Sequence, residues 1–256
     1  MMKKPKTAII DGDILVYRAS FWADVEGIDE LPVRLKHDVK KWTPRGCKPI
    51  VALSCPRKQN FRRRVWSEYK AHRDDTNQPD SINYAIEIVV DDFDIVKYPQ
   101  LEADDIMGIE ASAGNAIAVT IDKDLRCVPG WHWNPDKEKK PICVSEEDAD
   151  RFFYEQWMTG DTTDNIPGLW KVGPKKAQRF LDSTPKEDWV KEILEMYRVE
   201  ERPEHKGRAG LDPIRFGKAM AWCVRILRDG EYDKSGQLIN LWNFGYKGDK
   251  NAFQMF

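Results

Sequence analysis

Short apolar runs alternate with longer amphipathic stretches through the first half of the chain. Lys6–Ile10 (KTAII), Pro49–Leu53 (PIVAL), Phe93–Val96 and Ala116–Ile121 (AIAVTI) have strand length and little polar interruption. Such runs are the pattern of parallel strands buried on both faces. Ile14–Trp22, Ser81–Val90 and Leu101–Ala113 read as the intervening helices. Strands separated by helices predict an α/β fold with a parallel sheet covered on both sides. Trp131–Trp133 and Ile142–Val144 flank the turn-rich NPDKEKKP and predict a hairpin. Ser145 opens a helix with an acid three residues on, and Ala149, Phe152, Phe153 and Trp157 follow at helical spacing.

The pattern changes after Gly160. GDTTDNIPGLWKVGPKK is rich in turn residues, and Pro174 suits the first position of a new helix with Ala177, Phe180 and Leu181 on its inner face. Asp212–Pro213 predicts the start of a last long helix ending near Asp229–Gly230, and the Lys/Glu/Arg-rich stretch 198–210 reads as a mobile linker. The change of character predicts an α/β domain over 1–144 and a helical region over 145–256.

Composition narrows the class. Of 256 residues, 41% are hydrophobic and 33% charged, which fits a globular chain and not a disordered one. No apolar run approaches the roughly 18 residues that span a bilayer, so no membrane partnership is expected. MMKKPKTAIIDGD has no long apolar core, so no secretory signal is expected. Five cysteines without a CxxC pair, and four histidines without zinc-ligand spacing, fit a reducing, cytoplasmic compartment.

The net charge of -2 carries no global signal for nucleic acid, but the two signs segregate along the chain. Acids gather at the ends of the predicted strands: Asp11 and Asp13 after the first, Glu102, Asp104 and Asp105 after the third, Asp122 and Asp124 after the fourth. In an open parallel sheet these ends share one edge, where ligands bind. Asp161 and Asp164 lie in the next loop. Gathered carboxylates call for a hard divalent cation. Taken singly, each has a plainer role, as a turn residue at Asp11–Gly12 or a helix N-terminal acid at Glu102–Asp105.

Bases concentrate in RKQNFRRRVWSEYKAHR (57–73), interleaved with Phe61, Trp66 and Tyr69, a composition that serves phosphate contact and base stacking or a solvated helix equally well. A second basic group, Lys171, Lys175, Lys176 and Arg179, surrounds a turn bracketed by Gly168 and Gly173, which offers backbone N–H groups to phosphate or simply joins two packed helices.

IDGD, FRRRVWSEYKAHR, LEADDIMG, TIDKDL and TGDTTDNIPGLWKVGPKKA follow one another in an order and spacing that resembles the flap endonuclease and 5′–3′ exonuclease family. KPIVALS and AWCVRILRDGEYDKSGQLINLWNF resemble its stand-alone members from the replication systems of short-tailed bacteriophages. The resemblance implies a PIN-like catalytic domain, a twisted parallel sheet flanked by helices. It also implies a helix–three-turn–helix (helix–hairpin–helix-like) DNA-binding element within the helical C-terminal part. It implies that Asp11, Glu102, Asp104, Asp105, Asp122, Asp124, Asp161 and Asp164 surround two magnesium ions, which manganese can replace, with Asp13 an added acid. Asp11, Asp105, Asp122 and Lys70 are then the catalytic set. Tyr69 stacks near a 5′ end, Lys70 positions the scissile phosphate, and Arg73 and Arg62 grip phosphate. Gly168, Lys171, Gly173, Lys175 and Lys176 follow the duplex backbone. The implied activity is two-metal hydrolysis of duplex DNA from 5′ ends in phage replication in the bacterial cytoplasm, extending to 5′ flaps and RNA–DNA hybrids. A PIN-type ribonuclease or a non-catalytic duplex-binding protein are the alternatives. Two departures stand out: Ser54 or Cys55 occupies a position where many relatives carry Asp, and only about seven residues separate Arg73 from the next predicted helix, a short span for a threading arch.

Overall fold

The computed structural model describes residues 3–73, 78–201 and 211–244. The chain divides into two compact units, both discontinuous. One comprises Met1–Asn60, Thr76–Asp148 and Ile226–Ile239; the other comprises Phe61–Asp75, Ala149–Arg225 and Asn240–Phe256. The expected division at 144/145 differs from this: it lies near the 148/149 boundary but misses the exchange of Phe61–Asp75 and Ile226–Ile239 between the units.

The first unit is built on a six-stranded sheet: β1 (Thr7–Asp11), β2 (Lys48–Ala52), β3 (Ile95–Val96), β4 (Ile117–Val119), β5 (Gly130–Trp133) and β6 (Ile142–Val144), in the order β3-β2-β1-β4-β5-β6. The first five pair in parallel, with Ile9 beside Ile50 and Ile10 beside Val119, and β6 runs antiparallel to β5 as the hairpin pattern predicted. Helices α1 (Gly12–Glu26), α2 (Leu31–Lys41), α4 (Ile82–Asp92) and α5 (Ala103–Ser112) belong to this unit. Ile10, Leu15, Leu35, Val51, Val89 and Ile117 are buried in one core between strands and helices. The sequence reading did not assign α2, whose Leu31, Leu35 and Val39 recur every fourth residue. A two-stranded ribbon, β7 (Tyr232–Asp233) with β8 (Leu238–Ile239), completes the unit.

The second unit holds the short helix α3 (Arg62–Val65), most of α6 (Glu146–Thr159), α7 (Pro174–Ser183), α8 (Trp189–Val199) and α9 (Pro213–Val224). Its centre is aromatic: the buried Trp157 donates to the Gly217 carbonyl at 2.8 Å and accepts, on its own carbonyl, the Tyr197 hydroxyl at 2.7 Å. α8 replaces the start of the expected linker at 198–199; residues 202–210 of that linker, and the expected short arch at 74–77, lie outside the described residues. α9 ends at Val224, not near Asp229, because the following backbone N–H of Leu227 is bonded outside any helix, to Asp105 Oδ1 at 3.2 Å. Among the described residues no helix is long and apolar enough to cross a membrane.

His132 on β5 is buried, with its Nε2 2.9 Å from the Val128 carbonyl, and burial pushes its imidazole down to about 4. The unfolded chain therefore binds a proton that the folded chain refuses between pH 6.5 and 4. Stability is expected to fall over that window as pH is lowered, by up to about 3 kcal/mol from this group. Denaturation of wild type and His132→Gln at pH 7.5, 6 and 5 checks this: the variant should lose less stability between pH 7.5 and 5.

Candidate functional site

The strand order creates the first part of the site. The chain winds outward from β1 to β2 and β3, then returns to β4 on the other side of β1. The C-terminal ends of β1 and β4 thus flank a topological switch point, where open α/β sheets bind ligands. Asp11 ends β1 and caps the N-terminus of α1, accepting the Ile14 N–H at 3.1 Å. Gly12 is required by close approach: a Cβ there would meet the Ala52 carbonyl oxygen and, at 2.6 Å, Val51 Cγ1. Without that approach α1 could not start so close to β2.

β4 runs on into Thr120, Asp122 and Asp124. The Thr120 hydroxyl donates to Asp11 Oδ2 at 2.7 Å and accepts the Asp122 N–H at 3.0 Å. Asp122 Oδ1 in turn accepts the Asp124 N–H at 2.8 Å. Asp11 is only 3% exposed. Burial, then repulsion from Asp13, pushes its carboxyl up to about 7; Asp122 adds to the rise, while Thr120 and Ile14 oppose it. The sequence reading did not single out Thr120, whose importance depends on a contact 109 residues away.

The second acidic group belongs to α5. Glu102 is its N-cap in a reciprocal capping box with Asp105, whose Oδ2 accepts the Glu102 N–H at 3.2 Å. Asp105 is fully buried and gives its other oxygen to Leu227 N–H, so a structural task accompanies the expected catalytic one. Asp104 lies half-buried in the first helical turn. Ser54 links this group to Asp13: its hydroxyl and, at 3.1 Å, its N–H donate to the Asp13 carboxylate, and its Oγ accepts the Ala103 N–H at 2.9 Å. Cys55 registers the same field. Burial raises its thiol to about 11, and Glu102, Asp105 and Asp13 push further in that direction against Lys97.

These acids gather at one edge of the first unit, at the C-terminal ends of β1 and β4 and the N-terminus of α5. That fits a hard divalent cation, because every donor is a carboxylate or hydroxyl oxygen. Among the described residues no group of three or more acidic, histidine or cysteine side chains is placed to hold a metal ion by itself. Magnesium does not demand such a group, since it retains waters and shares substrate phosphates.

The second unit carries the basic segment. Residues 57–73 do not form one helix but a short α3 between single turns. Three expected contacts are corrected here. Arg62 is 2% exposed and donates to the Cys223 and Arg225 carbonyls at 3.0 and 2.6 Å, so it holds the end of α9 and does not reach phosphate. Tyr69 is also 2% exposed, with the Lys70 Nζ 5.0 Å from its ring centroid, so its face is covered and not offered to a base. Gly168 is buried with φ +60, and a Cβ there would strike the Gly160 nitrogen, so it shapes the turn and does not touch a duplex.

Lys70 and Arg73 are half-buried and paired with Asp164, at 3.4 and 2.7 Å. Asp161 Oδ1 accepts the Thr163 N–H at 2.7 Å within the turn that Asp161 and Ile166 close. Lys171, Gly173, Lys175 and Lys176 are exposed around the N-terminus of α7, with Lys176 donating to the Lys171 carbonyl at 3.0 Å.

No protein-family model matches the chain. It is 26% identical over 282 residues to an exonuclease of Escherichia phage T7, an alignment covering 91% of this chain and 92% of the relative. It is 28% identical over 200 residues to an exodeoxyribonuclease of Enterobacteria phage T3, covering 68% and 65%. The fold is similar to that of a T5 5′-exonuclease solved with divalent zinc bound, with a TM-score of 0.59, 15% identity, and 85% and 88% of the two chains covered.

Thr120→Val tests the switch-point geometry in metal-free protein. The lost hydroxyl stabilised the charged form of Asp11, so the destabilisation is expected to be about 1–3 kcal/mol at pH 8, where Asp11 is ionised. It should shrink at pH 5.5, below the raised value near 7. Urea denaturation at both pH values measures the difference; an equal cost at both would show that Thr120 does not act on the Asp11 charge.

Proposed function

We propose that this chain, which belongs to the 5′–3′ exonuclease family, is a divalent-metal-dependent nuclease that hydrolyses duplex DNA from its 5′ ends. The observation that carries the reading is the buried Asp11, bonded through Thr120 to the Asp122 loop at the sheet's switch point. The phage relatives, one named as an exodeoxyribonuclease, support DNA as the substrate. Cleavage of 5′ flaps and of the RNA strand in RNA–DNA hybrids belongs to the same proposal, as does action in the cytoplasm of an infected bacterium.

In this reading Asp11, Asp122, Asp124, Glu102 and Asp104 hold magnesium. Asp13, fixed by Ser54, supplies the carboxylate that the Ser54 position lacks. When bound, such ions lower the pKa of water and neutralise charge gathering on the phosphoryl oxygens. Lys70 and Arg73 orient the scissile phosphate and stabilise its developing charge. Lys171, Lys175, Lys176 and the backbone of Gly173 grip phosphates of the duplex, contacts that carry no base information.

On a duplex labelled at one 5′ end, wild type with magnesium is expected to release short labelled products and to stop with chelator. Asp122→Ala should abolish cutting while duplex binding in a mobility-shift assay persists. Release from a 3′ label first would sink the polarity, and full activity of Asp122→Ala would sink the site. Lys175→Ala with Lys176→Ala should weaken duplex binding and lower the slope of log K against log salt by about 2, the loss of two phosphate contacts. An unchanged slope in salt-dependent binding would remove the α7 N-terminus from the interface.

A further inference from the structure

We infer that Asp164 is a positioning residue that mounts Lys70 and Arg73, and is not a ligand of a divalent ion. The inference rests on the nuclease reading above and revises its expected acid set at one position. It lies wholly within the second unit. The Asp164 carboxylate takes Arg73 Nη2 at 2.7 Å on Oδ1, and Lys70 Nζ at 3.4 Å and the Tyr69 hydroxyl at 3.3 Å on Oδ2. Two cations already compensate one anion. A dication seeking this carboxylate would have to approach against both of them.

The backbone makes the same attachment. Lys70 sits at φ +52, and its N–H donates to the Asp164 carbonyl at 3.0 Å. Arg73 also donates to the Thr163 carbonyl at 3.0 Å. Trp66 Nε1 donates to the Asn165 carbonyl at 3.1 Å, and Asn165 Nδ2 donates back to the Glu68 carbonyl at 2.8 Å. Three consecutive residues of the turn thus bind the segment that carries the phosphate-handling cations. The turn is itself closed by paired bonds, Asp161 N–H to the Ile166 carbonyl at 2.8 Å and the reverse at 2.7 Å.

Asp161 contrasts with its neighbour. Its carboxylate accepts only a backbone N–H within the turn and has no ion pair among the described residues. Of the two acids in this loop, Asp161 keeps charge to offer a metal, while Asp164 spends its charge on Lys70 and Arg73. A long lysine and a long arginine held from one carboxylate lose rotamer freedom before substrate arrives, so less is lost when phosphate binds. The turn and the basic segment form one preassembled part.

Two measurements on the full chain separate a mount from a ligand. Calorimetric titration with manganese is compared for wild type, Asp122→Asn, Asp161→Asn and Asp164→Asn. Manganese affinity of Asp164→Asn is expected to stay within about twofold of wild type, while loss of a ligand carboxylate should weaken it at least as much as the roughly 10–100-fold that removing a ligand's outer-shell partner costs. Single-turnover cleavage of the 5′-labelled duplex is then measured with Asp164→Asn alone and on a Lys70→Met/Arg73→Met background. Alone it should slow cleavage about 100-fold, as misplacement of a positioning group does. On the background it should cost less than about threefold, because a residue acting through those cations has nothing left to position.

Asp164→Glu, which keeps the charge, should recover at least about tenfold of the loss. Weakened manganese binding in Asp164→Asn, or an undiminished loss on the double background, overturns the inference. The manganese titration reads Asp164 even if the wild-type chain cuts no DNA, so the two proposals fail separately.

Discussion

Burial of a carboxylate, Asp11, beside others of its kind is the constraint on which the site of the first unit depends. The parallel sheet forces Asp11 and the Asp122 loop together at the strand ends, and burial removes the water that would screen them. The fold answers with hydroxyl and backbone donors. Thr120 serves Asp11, Ser54 serves Asp13, and the first turns of α1 and α5 direct N–H groups at Asp11 and Glu102. Helix N-termini favour negative charge, so each acid is stabilised by the helix it caps. Asp11 is nevertheless pushed up to about 7, first by its burial and then by the neighbouring Asp13.

The same logic explains the Ser54 departure. An additional carboxylate at the end of β2 would add charge to an edge that already raises Asp11 and Cys55. A serine there reverses the contribution: it donates two hydrogen bonds to Asp13 and accepts one from α5. Asp13 is thereby fixed from a position one residue into α1, and the acid reaches the edge from the helix and not from the strand. Local sequence could show that an acid was missing at 54 and extra at 13. It could not show that the two residues bond, because that pairing depends on how closely Gly12 lets α1 approach β2.

The parts of the fold that sequence revealed are those with a one-dimensional signature. Strands at the middle of a parallel sheet are largely apolar, so β1 and β4, buried nearly throughout, and β2, buried at its C-terminal end, are visible within a residue or two. α5 and α7 announced themselves by an acidic cap and an N-terminal proline. α8 carries a legible signal in Trp189, Ile193, Leu194 and Tyr197, but its charged end has the composition of a linker. The premature end of α9 was not legible, since Leu227 leaves the helix to satisfy Asp105, 122 residues earlier. Arg62 failed for a related reason. An arginine in a basic run resembles a phosphate ligand, and only two carbonyls more than 160 residues away reveal it as a buried strut.

Arg62 and Asp164 also show why charge counts mislead in this chain. Its near-neutral sum conceals two sets of charge with different neighbours. Among the bases of the 57–73 segment, burial separates Arg62, sealed against carbonyls, from Lys70 and Arg73, which remain half-open and are the ones proposed to meet phosphate. Among the acids, the division follows the partner: Asp11 faces other carboxylates, whereas Asp164 faces cations. In the proposed reading a carboxylate among its own kind draws a metal, and one among bases orders them. Identical residue types in one motif can therefore hold opposite roles, and the sign of the nearest charge decides between them. In TGDTTDN the two aspartates stand three residues apart, and the second is paired with Lys70 and Arg73 while the first accepts a backbone N–H within the turn, the contrast on which the inferred division of their roles rests.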